Sequence, residues 1–205
     1  MGKHQMTKLA SMTPTLHHVN LKTFRLDEMI AWYATTVGMR VQYRFEGGAW
    51  LTNDDANHRL ALLAPPNLSD DPEKIQHAGL HHTAYEFATV EELVATYERL
   101  KAAGILPHAC LDHGMTMSMY FVDPDGNSLE LQADVYGDWA RSTDFMHSAE
   151  FDRDPIGTPF DPDQVLAAWK AGTTSADLHR RAYEGDFKPG GSLDLRLPGA
   201  PPPIR

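Results

Sequence analysis

The sequence has little cysteine and no long apolar run, and both shortages narrow the classes of protein to which it can belong. Cys110 is the only cysteine among 205 residues, which excludes a disulfide framework within the chain and fits a reducing compartment. No run of about 18 apolar residues is present, so no membrane-spanning helix is expected. The first residues, "MGKHQMTKLASM", lack the apolar centre of a signal peptide. These features predict a cytoplasmic protein.

Positive charge is also scarce. The chain has 18 lysines and arginines against 28 aspartates and glutamates, and its formal net charge of -10 argues against a nucleic-acid or anionic-membrane partner. Its length and its 42% of hydrophobic residues are typical of a globular protein with a buried core. Histidine, by contrast, is abundant, with 11 residues. Histidine is the commonest metal ligand and an acid or base near neutral pH, so metal or acid–base chemistry is the first hypothesis.

A paired histidine occurs twice in similar surroundings. The stretch "TLHHVNLKT" contains His18, and "GLHHTAYEF" contains His82, 64 residues later. Apolar residues that follow the two pairs also match at this offset. Self-similarity at a fixed period indicates a duplicated structural unit.

Each copy predicts the same order of elements. A strand holding the histidine pair precedes a helical pattern of apolar residues at three- and four-residue steps, which ends at Gly38 or Gly104. Three short strand-like segments follow, with "EGG" and "DPDG" as turns. The sequence therefore predicts an α+β fold of two βαβββ modules, residues 14–66 and 78–134. We expect them to form one domain, 14–134, with a concave mixed sheet and a central cleft.

Residues 135–205 differ in composition and are predicted to be a C-terminal extension that packs across the domain. The stretches "DPDQVLAAWKAG" and "TSADLHRRAYEG" each predict a short helix, the first capped by an aspartate. The proline- and glycine-rich "PGGSLDLRLPGAPPPIR" is expected to be poorly ordered. We assign no catalytic residue to this extension.

Strand alternation places a carboxylate with the histidines. In "SLELQ", Leu129 and Leu131 alternate with Glu130, so the leucines face the helix and Glu130 faces the cleft. His18 and His82 occupy matching positions in the two first strands. Two histidines and one carboxylate are the ligand set of non-haem Fe(II) oxygenases. Each residue alone is more often structural, but the repeat favours a metal site.

The histidine that faces inward in each pair is a separate question. His18 lies three residues before the apolar Leu21, and His82 lies three residues before Tyr85. Because successive strand residues alternate between the two faces, this odd offset places the second histidine of each pair on the face opposite to these apolar residues, toward the cleft. The orientation within each pair stays open at this point.

The motifs "LHHVNLKT", "GLHHTAYEF", "DHGMTMSMYF" and "DPDGNSLEL" resemble those of the vicinal oxygen chelate superfamily over residues 14–134. That superfamily includes glyoxalases, epimerases, bleomycin-resistance proteins and type I extradiol dioxygenases. The chain is most similar to the small single-domain extradiol dioxygenases. This resemblance implies Fe(II), with Mn(II) as an alternative, no organic cofactor, and a catechol and dioxygen as substrates.

The resemblance also implies roles for further residues. Ala61 aligns with Glu130, so the fourth protein ligand of glyoxalase I-like members is replaced by a side chain that cannot bind metal. His58 matches an acid/base histidine near bound dioxygen, although a surface position at a strand start is an equal alternative. His113 and Tyr120 match the substrate-side histidine and tyrosine. A core aromatic is the alternative for Tyr120.

The resemblance thus implies a non-haem Fe(II)-dependent extradiol dioxygenase that cleaves a substituted catechol and forms a homo-oligomer. Met115, Met117, Tyr85 and Trp50 are expected to line part of its pocket. Two other classes stay open: a glyoxalase-type metal-dependent isomerase or lyase, and a non-catalytic protein that binds a small molecule such as an antibiotic. Metal content separates the binding protein from the enzymes, and oxygen consumption separates the dioxygenase from the isomerase.

Overall fold

The first module folds as one helix on a four-stranded mixed sheet. The structure is a computed structural model that describes residues 13–199. The elements of this module are β1 (Val19–Lys22), α1 (Leu26–Val37), β2 (Arg40–Phe45), β3 (Gly48–Thr52) and β4 (Leu60–Leu63). The strands lie in the order β1-β4-β3-β2, and only the β1–β4 pair is parallel.

The second module repeats this topology. It contains β5 (His82–Phe87), α2 (Val90–Ala102), β6 (Ala109–Asp112), β7 (Thr116–Val122) and β8 (Ser128–Asp134). The order is β5-β8-β7-β6-β9, in which the short β9 (Thr158–Pro159) comes from the C-terminal extension. The predicted pair of βαβββ modules is confirmed. The described strands form two sheets of four and five strands, however, and not one continuous concave sheet.

The helices begin and end where the sequence predicts. Thr89 caps α2 by accepting a hydrogen bond from the Glu92 amide, and acidic residues occupy the first turn of each helix. After α1, Gly38 adopts φ 68°, and its amide donates to the carbonyl of Tyr33. That left-handed conformation is the usual helix stop, and glycine adopts it without strain.

One hydrophobic core is shared by both modules. It contains helix-facing side chains of the first sheet, such as Leu51 and Leu60, together with Phe121 and Leu129 of the second sheet. The guanidinium of Arg99 in α2 donates to backbone carbonyls at the end of α1. The helix-covered faces of both sheets therefore point toward a common interior. We call the opposite face of each sheet its open face.

The described part of the C-terminal extension, residues 135–199, contains four helices: α3 (Trp139–Met146), α4 (Ala149–Arg153), α5 (Pro162–Lys170) and α6 (Ser175–Tyr183). The predicted helices α5 and α6 are confirmed, and Asp161 caps α5 as expected. Helices α3 and α4 and strand β9 were not predicted from the sequence.

The end of the described chain also packs on the domain. Leu193 and Leu195 lie against a small cluster formed by Ala109, Leu111 and Tyr120. The expectation of poor order is therefore wrong for this stretch, because its two leucines cover apolar side chains of β6 and β7. Residues 200–205 and the N-terminal residues 1–12, with the signal-peptide prediction, lie outside the described residues. Among the helices of residues 13–199, none is long and apolar enough to cross a membrane.

Candidate metal centre

The strand register places Glu130 on the open face of the second sheet. Glu130 pairs with Ala84 in β5 and with Tyr120 in β7, and cross-strand partners share one face. Leu129 and Leu131 point the other way, into the shared core. The alternation predicted from the sequence is therefore present.

The carboxylate of Glu130 is buried and well partnered. Its Oε2 lies 3.0 Å from His82 Nε2, and its Oε1 accepts a hydrogen bond of 3.0 Å from the Tyr120 hydroxyl. Burial raises the pKa of Glu130, but the hydrogen bonds from His82 and Ser118 and the nearby His113 outweigh it. The pKa lies below its ordinary value. Glu130 is thus a buried anion next to an imidazole.

Tyr120 joins Glu130 to His113. The His113 Nε2 lies 2.9 Å from the Tyr120 hydroxyl, and His113 Nδ1 donates to the carbonyl of Ile156 at 2.7 Å. Burial and the charge of Glu130 raise the pKa of Tyr120 far above its ordinary value. The phenol therefore stays protonated and serves as a hydrogen-bond donor.

The second member of the pair, His82, faces Glu130, and the first member fixes it. His81 Nε2 donates to the carbonyl of Leu195 at 2.9 Å, so in the neutral ring its Nδ1 is the acceptor. His82 Nδ1 lies 2.7 Å from that atom and must donate to it. His82 Nε2 is the ring nitrogen that faces Glu130. A histidine that ligates a metal usually donates its other ring N–H in this way.

His18 lies in a separate cluster on the first sheet. Its Nδ1 is 3.1 Å from His17 Nδ1, and its ring centroid is 4.3 Å from that of His58. The donor atoms of these three histidines lie within 4.8 Å of one another. Among residues 13–199 this is the one group of three such side chains at that spacing, so His18 does not meet His82 and Glu130 within the described chain.

His58 is held as a neutral imidazole. Its Nδ1 lies 2.7 Å from Asn57 Oδ1, which accepts the Nδ1 proton and leaves Nε2 as an acceptor. Burial lowers the pKa of His58, and the neighbouring His18 and His17 lower it further. The ring is therefore available to accept a proton near neutral pH.

An aromatic surface adjoins the histidine cluster of the first sheet. Tyr43 stacks on Trp50 with centroids 5.3 Å apart, Phe45 lies 5.5 Å from Trp50, and Trp50 lies 5.8 Å from His58. Tyr43 is 56% exposed and Trp50 is 39% exposed. Trp50 was expected near the site from the sequence, whereas Tyr43 and Phe45 were not, although the alternation in "RVQYRF" places both on one face.

Two of the expected pocket residues lie elsewhere. Met117 and Tyr85 pack in the shared core, because they alternate with open-face residues in β7 and β5. A cavity of about 540 Å³ is lined by residues such as Leu21, Tyr33 and Lys74. Its lining also includes His81 and Ser128, and Ser128 shares the open face of β8 with Glu130.

The structure shows further partners that the sequence did not reveal. His108 Nε2 contacts the Ser128 hydroxyl at 3.0 Å, and its Nδ1 donates to the carbonyl of Asp194 at 2.8 Å. His179 of α6 lies 2.8 Å from the buried carboxylate of Asp112, next to His113. Contacts of this kind join residues far apart in sequence, and no local pattern indicates them.

The donor set fits a divalent transition metal in its chemistry. Glu130 supplies a buried, ionised carboxylate, and His82 supplies an imidazole whose ring His81 holds through Nδ1. His18 and His58 add imidazoles from the first sheet. Imidazole and carboxylate donors suit Fe(II) or Mn(II), whereas thiolate-preferring metals would lack their ligand here.

The chain is similar to known ring-cleaving enzymes. Residues 15–131 match the model of the Glyoxalase/Bleomycin resistance protein/Dioxygenase superfamily. Two relatives come from Rhodococcus globerulus. Biphenyl-2,3-diol 1,2-dioxygenase 3 is 39% identical, over 84% of this chain and 91% of that protein. Biphenyl-2,3-diol 1,2-dioxygenase 2 is 41% identical, over 86% of this chain and 93% of that protein. A solved glyoxalase/bleomycin resistance protein/dioxygenase from Nocardioides is 25% identical, with a TM-score of 0.49, over 62% of this chain and 87% of that one.

Proposed function

The chain belongs to the glyoxalase, bleomycin resistance protein and dioxygenase superfamily, and from this membership we propose that it is an extradiol dioxygenase acting on an aryl-substituted catechol. The observation that carries the proposal is the hydrogen-bonded row of Glu130, Tyr120 and His113 beside His82. The relatives' names place the diol on carbons 2 and 3 and the reaction at carbons 1 and 2, which is beside the diol.

We propose that His18, His82 and Glu130 hold the metal, with Fe(II) as its identity and Mn(II) as the alternative. Such an ion, when bound, favours loss of a catechol proton and offers open positions for substrate and dioxygen. Ala61 provides no fourth ligand, and this supports a dioxygenase over a glyoxalase-type isomerase. The buried ionised state of Glu130 supports its assignment as the anionic ligand.

Tyr120 and His113 orient the catechol in this proposal. The phenol of Tyr120 keeps its proton, which it donates to Glu130 in the free chain and can turn toward a substrate oxygen when the diol binds. A hydrogen bond from Nδ1 to the carbonyl of Ile156 holds the His113 ring, so its Nε2 points toward the Tyr120 hydroxyl. Two directed groups define where the diol lies, and orientation of a reactant is itself a large share of catalysis.

His58 and the aromatic surface complete the proposed roles. His58 is neutral and presents Nε2, so it can take a proton from the substrate and return it during ring opening. Tyr43, Phe45 and Trp50 offer stacking partners for a second ring. This is why we favour an aryl-substituted catechol over an unsubstituted one.

The division of the chain follows from these roles. We propose that residues 14–134 form the catalytic domain and residues 135–205 an extension that supports it. The buried free thiol of Cys110 agrees with a reducing, cytoplasmic location.

The test is a substrate screen with metal loaded under anaerobic conditions. Protein with Fe(II) is mixed with catechol, alkylcatechols and 2,3-dihydroxybiphenyl in an oxygen electrode coupled to a spectrophotometer. We expect one dioxygen consumed per diol, a coloured ring-opened product, and the highest kcat/KM for the aryl substrate. A colourless muconic acid, or oxygen-independent conversion of a hemithioacetal without catechol cleavage, would contradict the proposal.

A further inference from the structure

We infer that His179, in helix α6 of the C-terminal extension, is a positioning residue that holds His113 in place through the carboxylate of Asp112. The inference rests on the proposed function, from which it takes the role of His113 in orienting the diol. His179 Nδ1 lies 2.8 Å from Asp112 Oδ2, although the two residues are 67 positions apart. Asp112 directly precedes His113, so this bond joins the extension to the substrate side of the proposed site.

The carboxylate of Asp112 closes the turn that carries His113. Its Oδ1 accepts a hydrogen bond of 2.9 Å from the amide of Gly114, and the amide of His113 donates to the carbonyl of Thr116 at 2.9 Å. An aspartate that bonds the amide two residues ahead fixes the backbone of the residue between them. That residue is His113. The position of its ring therefore depends on where the Asp112 carboxylate is held.

His179 holds that carboxylate at its other oxygen. The side chain of Asp112 is fully buried. An ionised carboxylate only accepts hydrogen bonds, so Nδ1 of His179 carries the proton in this pair. Burial raises the pKa of the Asp112 carboxyl, and the hydrogen bond from His179 opposes this rise. Without His179 the buried carboxyl would lack its partner at Oδ2, and such a group takes up a proton or moves toward another donor.

Helix α6 gives His179 a fixed place from which to act. Leu178 and Ala182 of this helix are fully buried in the shared core. The ring of His179 stacks on that of Tyr183, with centroids 6.1 Å apart. Tyr183 also lies against the turn, since a Cβ added at Gly114 would be 3.1 Å from its ring. The helix therefore packs on the turn with one side chain and bonds the carboxylate of that turn with another.

The extension also holds the ring of His113 directly. His113 Nδ1 donates to the carbonyl of Ile156 at 2.7 Å, and the loop of Ile156 leads into β9, which pairs with β6. The turn fixes where the ring begins and the Ile156 carbonyl fixes its rotation, so that Nε2 lies 2.9 Å from the Tyr120 hydroxyl. Among the described residues, the hydrogen bond of His179 goes to Asp112 and not to Tyr120. His179 thus acts on the site through another residue.

The test is a pair of variants that separate the hydrogen bond of His179 from its packing. His179→Phe keeps a ring beside Tyr183 but has no donor for Asp112. His179→Asn loses the ring but places an amide N–H where Nδ1 stands. If the hydrogen bond positions His113, the first variant should disturb that residue and the second should not. His147→Ala, which changes an exposed histidine of the same extension, is the control.

The first measurement uses protein without metal. In an NMR spectrum of isotope-labelled imidazole rings, assigned with His113→Gln, the Nδ1 proton that His113 donates to Ile156 should give a signal protected from exchange with water. His179→Phe should lose or strongly broaden this signal, whereas His179→Asn and the control should retain it. A folded His179→Phe variant with an unchanged His113 signal would overturn the inference, whatever its stability, as would a wild type without the signal.

A double variant covers the case in which His179→Phe does not fold. Asp112→Asn combined with His179→Phe leaves no unpaired carboxylate in the interior, which is the main cost of the single change. The new amide oxygen can still accept from Gly114, but nothing on α6 bonds the other end of the amide. The same loss of the His113 signal is expected in this double variant, and a retained signal would overturn the inference.

The second measurement uses Fe(II)-loaded protein and the diol that the wild type cleaves fastest. Fe(II) content should equal that of the wild type, because no proposed ligand is changed, while kcat/KM of His179→Phe should fall by about 10- to 100-fold, the effect of a misplaced orienting group. His179→Asn should recover most of this loss. Normal turnover in folded His179→Phe would overturn the inference and leave the proposed function standing. A wild type that cleaves no diol would overturn the proposed function, and the His113 signal would still decide the positioning role.

Discussion

Ala61 occupies in the first sheet the position that Glu130 occupies in the second. Ala61 pairs with Asn20 in the parallel β1–β4 ladder, as Glu130 pairs with Ala84 in the parallel β5–β8 ladder, and Asn20 and Ala84 are 64 residues apart. The two modules thus have the same backbone arrangement at this point but carry different side chains there. Under the proposed ligand set, a symmetric scaffold with one carboxylate gives a site with three protein ligands and not four.

The first prediction concerns that carboxylate. Glu130→Gln keeps the size of the side chain but removes its charge, so metal retention should fall at least about 10-fold, the lower end of what even outer-shell changes cost. Elemental analysis after Fe(II) loading measures this, and circular dichroism checks the fold. Gln132→Ala, on the same strand and face, is the control. Equal metal in Glu130→Gln and wild type would exclude Glu130 as a ligand.

The second prediction concerns the doubled histidine. His81 sets the ring tautomer of His82 without reaching Glu130, so His81→Phe should weaken metal affinity by about 10- to 100-fold while the ligand set persists. Competition with a chelator measures the affinity. His81→Gln, whose amide can still accept from His82 Nδ1, should recover part of the loss. Affinity unchanged in His81→Phe would show that the pair has no such role.

Much of the scaffold was predictable, because it follows from local patterns. The repeat at 64 residues, the helical periodicity and the alternation in "SLELQ" predict both modules and the phase of Glu130. Met117 and Tyr85 show the limit of that reasoning, because both were expected to line the pocket and instead pack in the shared core. Alternation predicts that neighbouring residues lie on opposite faces of a sheet, but it does not predict which face the second module or the extension will cover.

The relation between the modules was not predictable from one sequence. The bonds that set it, such as Tyr33 with Asp123, join residues 90 positions apart and leave no periodic signal. The same holds for the extension, where His179 reaches Asp112 and Leu195 reaches His81. Local patterns in the sequence suggest candidate ligands, but the positions of these residues relative to one another depend on such long-range contacts.

The third prediction tests the packing of the loop that carries His113. Gly157 has φ +90°, and an added Cβ would lie 2.2 Å from the Asp112 carbonyl oxygen and 2.8 Å from His113 Cα. Gly172 has φ +91° with nothing within 4 Å. Gly172→Ala should lower the free energy of unfolding by about 1–2 kcal/mol, from the backbone conformation alone. Gly157→Ala should lower it by about 1–3 kcal/mol more because of the clash, and should also lower activity. Urea unfolding measures both, and equal losses would refute the clash.

The fourth prediction concerns stability at alkaline pH. Burial raises the pKa of Tyr85 to about 12, although a hydrogen bond with Thr83 opposes the shift. In the unfolded chain tyrosine titrates near 10, so between about pH 10 and 12 the unfolded state binds fewer protons and stability falls as pH rises. Between pH 9 and 11.5, Tyr85→Phe should therefore lose on the order of 2 kcal/mol less stability than the wild type. Urea unfolding at pH 9 and 11.5 tests it, with the exposed Tyr43→Phe as control. An identical pH slope in Tyr85→Phe would contradict the assignment.

The last prediction separates catalysis from metal binding at His58. This ring is neutral, held at Nδ1 by Asn57, and lies beside His18 without any contact to Glu130. As an acid or base, it should matter after substrate has bound. His58→Gln should therefore slow turnover by about 10²–10⁴-fold while Fe(II) content and catechol affinity stay near wild type. Stopped-flow turnover and anaerobic catechol titration give the two quantities, and His77→Gln, a surface histidine paired with Asp71, is the control.

Three outcomes distinguish the roles of His58. Slow turnover with full metal supports the acid/base role. Lost metal would make His58 a ligand in place of His18, because both belong to the same group of three histidines. Unchanged turnover and metal would make it a structural residue at the start of β4. The depressed pKa favours the first outcome, since a ring that is neutral before the reaction can accept the catechol proton without first losing one.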